Sequence, residues 1–169
     1  MLEVGAALPA VTVYEYNTVE GEACPIGPMA VPLDAAGRGK SIALFALPGA
    51  YTPTCSAKHL PGYIAQASAF RALGVDEIWC LSANDAFVMH SWGESQGATG
   101  LVRMLGDGSA HFAQAAGLVL DLSAKGMGVR SQRYAAWVVD GVIRVLQVEA
   151  PGQFERSSAE SLLAAIAAA

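Results

Sequence analysis

The chain has 169 residues, 53% of them apolar, with 10 basic side chains against 15 acidic ones and a net charge of −5. That length suits one domain with a core of its own, and an acidic balance lacks the broad cationic field that nucleic acid demands. No apolar run is long enough to span a bilayer, and Met1-Leu2-Glu3-Val4-Gly5 has no signal-peptide character, so the expectation is a cytosolic protein without nucleic-acid or membrane partners, its thiols reduced.

In chain order, Val11 to Tyr16 alternates and predicts an edge or hairpin strand. Residues 17 to 40, rich in Gly, Pro and acid, read as loop with short structure. Ser41 to Leu47 is a continuous apolar run, the pattern of a strand buried on both faces. Ser56 to Leu73 has helical spacing, bent by Pro61 and closed by Gly74. Glu77 to Leu81 predicts a second buried strand. Ser82 or Asn84 is placed to cap the next helix, with Phe87, Val88 and Trp92 on its apolar side. Leu101 to Leu105 predicts a third strand, stopped by Gly106-Asp107-Gly108, and a short helix follows around Ala110 to Ala116. Tyr134 to Val139 and Val142 to Val148 form a hairpin about Asp140-Gly141. Ser157-x-x-Glu160 reads as a capping box opening a terminal helix. The alternation of strand and helix predicts an α/β fold, a central mixed β-sheet flanked by helices, with no division between residues 1 and 169.

Three cysteines, Cys24, Cys55 and Cys80, are an odd and scattered set, which argues against a disulfide framework and a zinc site; there is no Cys-x-x-Cys pair. Cys24 reads as an incidental thiol. Cys55 differs, because it opens a helix directly after a buried strand and Thr52 lies three residues before it. Amides at a helix start favour the thiolate, the form that attacks electrophiles. A cysteine near a strand end is commonly just a small buried hydrophobe. The whole spacing Pro48-x-x-x-Thr52-x-x-Cys55 is more specific than its parts. It suits peroxide reduction, which needs an ionised sulfur, a hydroxyl that accepts from and donates to the peroxide, and fixed donors for charge developing on the leaving oxygen. Arg130 and Arg133, just before the Tyr134 strand, are the candidate cations. Without Gly-x-Gly-x-x-Gly or a phosphate loop, no cofactor and no metal is expected.

The run from Pro48 to Tyr63 resembles the active-site signature of the peroxiredoxins, in the peroxiredoxin-5-like or type II branch. The likeness continues through Cys80 to Val88, Gly128 to Tyr134 and Asp140-Gly141, and so covers nearly the whole chain. The resemblance implies a thioredoxin-like fold and a thiol peroxidase acting on hydrogen peroxide and organic hydroperoxides. It assigns Cys55 as the peroxidatic cysteine, Thr52 as a peroxide ligand, Pro48 as a shield and Arg133 as the active-site arginine, with Arg130 and His59 in the surrounding shell. It also implies pairing into a homodimer through the face near the active-site loops, where Tyr51, Phe87 and Trp92 are candidates.

Peroxide attack leaves a sulfenic acid that a thiol must resolve. The animal-type resolving cysteine near the C-terminus is absent; Phe154-Glu155-Arg156-Ser157-Ser158 occupies that stretch. Either Cys80 resolves, or glutathione, glutaredoxin or thioredoxin supplies the thiol. Cys80 lies inside an apolar strand, so a Cys55–Cys80 bridge would require local unwinding. The expectation favours the external thiol.

Overall fold

The computed structural model describes residues 1–16 and 27–169; Cys24 lies outside them. Among the described residues the strands are β1 (Thr12–Glu15), β2 (Met29–Pro32), β3 (Ser41–Ala46), β4 (Glu77–Ser82), β5 (Arg103–Gly106), β6 (Val119–Leu122), β7 (Gly128–Ser131), β8 (Tyr134–Val139) and β9 (Val142–Val148). Seven form one mixed sheet in the order β2-β1-β5-β4-β3-β8-β9, and β6 and β7 form a separate antiparallel pair. The parallel pairs are β3 with β4 and β4 with β5, each joined by helix; β8 returns antiparallel to β3.

Both faces of the sheet are covered, which explains the unbroken apolar runs of β3 and β4. Ala43, Phe45, Ile78, Cys80 and Ala135 face one core, and Ile42, Leu44, Trp79, Leu81 and Tyr134 face the other, with the period of two that a strand imposes. The helices α2 (Leu60–Ala65), α3 (Ala67–Ala72), α4 (Ala86–Gln96) and α6 (Ala159–Ala167) contribute to the first core, and α1 (Leu33–Ala36) and α5 (His111–Ala116) to the second. This is the mixed, helix-flanked thioredoxin-like sheet that the alternation and the resemblance led us to expect.

The helix expected over 56–73 is not uniform. Cys55–His59 is a π turn, with Leu60 N–H bonded back to the Cys55 carbonyl, before α2 and α3 begin. Pro61 has no N–H for the carbonyl four residues earlier, so an ordinary α-turn there would leave an acceptor unpaired. Gly74, at φ +80°, closes α3 as expected, with Val75 N–H on the Phe70 carbonyl and Gly74 N–H on the Arg71 carbonyl. Asp140 and Gly141 both take positive φ, the geometry of a two-residue hairpin turn.

Several local expectations are corrected. The residue capping α4 is Asp85, which accepts from Val88 N–H at 2.9 Å, and neither Ser82 nor Asn84. Phe87 is more than half exposed, while Met89 and Trp92 carry the buried face. Ser158 caps α6 by accepting from Ser161 N–H, and Ser157 turns inward instead. The third sheet strand begins at Arg103, two residues later than its apolar run suggests. Of the two readings of β1, edge or hairpin strand, the structure agrees with the second, since β2 pairs antiparallel outside it.

Candidate active site

The site forms where β3 ends. Ala46 pairs with Tyr134 across β3 and β8, so the residue before β8, Arg133, comes level with the start of the Pro48–Thr52 loop. The loop turns back at Tyr51, which takes φ +61°. Thr52 donates its hydroxyl to the Gly49 carbonyl at 2.8 Å, leaving its oxygen lone pairs free to accept. Asn84 accepts from Ala50 N–H at 2.9 Å and from the Ser82 hydroxyl at 2.9 Å. The two residues expected to cap a helix instead hold the active-site loop. Arg130, delivered by β7, donates to the Pro48 carbonyl at 3.3 Å and to the Met127 carbonyl at 2.7 Å.

Cys55 is fully buried in the π turn. Arg133 donates from Nη2 to its Sγ at 3.2 Å and from Nη1 to His59 Nδ1 at 2.8 Å. His59 lies four residues after Cys55, so both side chains leave the same side of the turn. With Nδ1 accepting, the ring proton sits on Nε2 and is donated to the Ser157 carbonyl at 3.0 Å. Burial, and then the positive charge of Arg133, push the His59 ring down from its ordinary value near 6.5 to about 3. His59 is therefore neutral around pH 7 and can accept from the guanidinium.

Behind this pair stands Glu149, buried and one residue beyond β9. Its Oε1 accepts from the amides of Glu155, Arg156 and Ser157 and from the Ser157 hydroxyl, at 2.7–2.8 Å. Burial alone would push this carboxyl up, but the bonds from Ser157, Glu155 and Arg156 outweigh it and hold it below its ordinary value. Phe154 places its ring 5.7 Å from the Arg133 guanidinium and 5.1 Å from the His59 ring.

A cavity of about 420 Å³ adjoins the site, lined by Pro48, Thr54, Arg133, Leu120, Leu122 and Lys125 among others. A larger hollow of about 640 Å³ lies between β1 and the turn after β5, and among the described residues its lining includes no cysteine or arginine.

The structure thus brings Arg133 into contact with both Cys55 and His59, and sets Pro48 and Thr52 in the loop beside them, with Arg130 of β7 bonded to that loop. Cys80 is fully buried in β4, its strand neighbours Phe45 and Met104, in the same apolar core as Cys55. Burial, reinforced by the nearby Cys55 sulfur, raises the Cys80 thiol well above its ordinary value. Sequence reasoning missed Asn84, Glu149, Phe154 and the inward role of Ser157; none stands in a local pattern that announces it.

A family model described as Redoxin matches residues 3–163. Peroxiredoxin-2E-2 of Oryza sativa, which is chloroplastic, is 45% identical over 98% of this chain and 72% of its own length. Among solved structures, reduced Prx3 of Vibrio vulnificus in complex with H2O2 is 47% identical and superimposes with a TM-score of 0.90, over 98% of this chain and 99% of that one. Peroxiredoxin 5 of Alvinella pompejana is 31% identical over all of both chains, with a TM-score of 0.84. The cytosolic expectation is overturned here: the rice relative and its Arabidopsis thaliana counterpart are both chloroplastic. A targeting segment is no part of a folded domain, so domain composition does not carry the compartment. Over its length, its motifs and its fold, the chain belongs to the peroxiredoxins, in their type II, peroxiredoxin-5-like group, and is a thiol peroxidase.

Proposed function

We propose that Cys55 is the peroxidatic sulfur, that Thr52 and Arg133 hold the peroxide, that Pro48 shields the sulfur, and that an external thiol closes the cycle. The observation that carries this reading is the 3.2 Å contact from Arg133 Nη2 to Cys55 Sγ, which puts a fixed cationic donor where charge develops. The Cys55 thiolate attacks one peroxide oxygen. An S–O bond forms, the O–O bond breaks, the sulfur loses two electrons, and the departing alkoxide or hydroxide takes up a proton. Arg133 supplies donors to the oxygens during that transfer, the Thr52 oxygen accepts from the peroxide O–H, and Arg130 and His59 support the loop and the guanidinium. Hydrogen peroxide and small organic hydroperoxides are the substrate class, and the adjoining cavity has room for an organic substituent.

The sulfenic acid then condenses with a thiol from glutathione, glutaredoxin or thioredoxin, releasing water and leaving a mixed disulfide that a second thiol reduces. Cys80 is disfavoured as the resolving group, because a fully buried thiol held protonated in a central strand is a poor nucleophile. Intact mass after one equivalent of hydrogen peroxide, without reductant, tests the scheme. A Cys55-dependent gain of one oxygen, removed by glutathione, is the expected result. Loss of two hydrogens that disappears in Cys80→Ser would assign resolution to Cys80, and no change that depends on Cys55 would remove it from the chemistry. We also propose a homodimer through the face bearing the exposed rings of Tyr51 and Phe87; Trp92 is fully buried and is not part of it. Sedimentation of wild type against Phe87→Glu, with a monomer expected only for the variant, tests the pairing.

A further inference from the structure

Arg133 must place one end of its guanidinium against Cys55, yet among the described residues no carboxylate lies within ion-pair distance of it. Neutral groups hold it: the His59 ring at 2.8 Å and the Phe154 face at 5.7 Å. Both depend on the segment after β9. The Ser157 carbonyl, which fixes His59, also accepts from the Tyr63 hydroxyl at 3.0 Å, and Phe154 lies three residues before it. What folds that segment is Glu149, whose one oxygen collects four donors from residues 155–157. Its own main chain donates to the Arg133 carbonyl at 3.0 Å. One residue therefore ties the backbone of Arg133 to the turn that clamps its side chain.

We propose that Glu149 is a positioning residue for Arg133, acting by reach: its Oε1 folds the 155–157 turn so that Phe154 and the Ser157–His59 pair aim the guanidinium at Cys55. Keeping the carboxylate one step back leaves the guanidinium charge available to the thiolate and the peroxide. A direct ion pair would neutralise it. All four donors converge on Oε1, so an amide oxygen in the same place serves equally, whereas a shorter carboxylate falls short of them. The inference rests on the reading of Arg133 and Cys55 as the reacting pair.

The test crosses reach against charge. Glu149→Gln keeps the reach and loses the charge; Glu149→Asp keeps the charge and loses the reach. For each, the rate of Cys55 oxidation by hydrogen peroxide is measured beside its alkylation by iodoacetamide, which needs the thiolate but no aimed guanidinium. Peroxide oxidation within about threefold of wild type is expected for the Gln variant, and a loss of about tenfold or more for the Asp variant, with alkylation within about threefold in both. A slow Gln variant, a wild-type-like Asp variant, or an Asp variant whose alkylation falls in step with oxidation would each overturn the proposal. Should the Asp variant not fold, Phe154→Ala leaves the four bonds in place and removes the ring from Arg133. Slow oxidation with ordinary alkylation is expected there, and wild-type oxidation overturns the proposal. Absence of Cys55-dependent oxidation in the wild type would instead overturn the reading beneath it, a result that no variant can imitate.

Discussion

Arg133 meets Cys55 and His59 with two nitrogens of one planar fork, a geometry that lysine cannot reproduce. Replacing Arg133 by Lys should lower the rate constant for peroxide by about a hundredfold, the scale of losing one preorganised donor, in stopped-flow oxidation; a loss under threefold would remove the fork from the mechanism. His59 carries a pH prediction. Its folded value, about 3, lies below its ordinary value near 6.5, so between these the unfolded chain binds the extra proton. Stability is therefore complete above the ordinary value and falls as pH drops towards the folded one, by about 1.4 kcal/mol per pH unit for this one group. In urea titrations at about pH 7 and about pH 5, His59→Gln should lose less stability between the two than the wild type does. Equal losses would mean that the ring is not buried neutral.

The elements around the site act through their ends. The π turn keeps Cys55 and His59 on one side where Pro61 removes an amide, and such turns recur at functional sites. The turn after β4 does two jobs, since Asp85 caps α4 while Asn84 holds the Ala50 amide of the catalytic loop. Gly106, at the end of β5, packs against that turn so closely that a Cβ would sit 2.8 Å from backbone atoms of Asn84, Asp85 and Ala86. Backbone cannot yield as a side chain does. Gly106→Ala should cost about 1–3 kcal/mol by urea unfolding and, by shifting Asn84, slow peroxide oxidation as well. An unchanged unfolding midpoint would show that the turn has slack.

Across the molecule, one sheet separates two apolar cores, and the Cys55 sulfur belongs to the core packed by α2, α3, α4 and α6. In the opposite core, the hydroxyl of fully buried Tyr134 finds no hydrogen-bond partner among the described residues. A buried hydroxyl without a partner costs stability. Tyr134→Phe should therefore leave the melting temperature unchanged or raise it, by about 1 kcal/mol of stability at most. A clear fall would reveal that the hydroxyl is satisfied. Because the ring lies across the sheet from Cys55, peroxide kinetics should not change.

Chemistry and architecture were legible where the signal is local. Pro48, Thr52 and Cys55 stand within one loop and turn, β3 and β4 announce themselves as apolar runs, and Asp140-Gly141 sets the hairpin by its own backbone preference. Local periodicity misjudged residues whose partners are distant. Ser82 and Asn84 have the composition of helix caps, and Ser157 that of a capping box, yet Ser82 donates to Asn84, Asn84 accepts from Ala50, and Ser157 donates to Glu149. The β6–β7 pair, which brings Arg130 to Pro48, went unread between turn residues. The resemblance assigned Arg133 ahead of Arg130, and the register of β8 against β3 is what brings its guanidinium to the sulfur. Glu149 shows the reason most plainly. Counted back from Asp140-Gly141, Arg133 would face Val148, but the irregularity between Trp137 and Val138 shifts the hairpin by one residue and brings Glu149 there instead. A strand's side-chain period is two, so such a one-residue shift exchanges which residue stands opposite another while leaving the hydrophobic pattern nearly intact. The Pro48–Cys55 spacing and the buried strands can be read from neighbouring residues, whereas the distant side chains that hold them are set by strand register, which only the folded chain fixes.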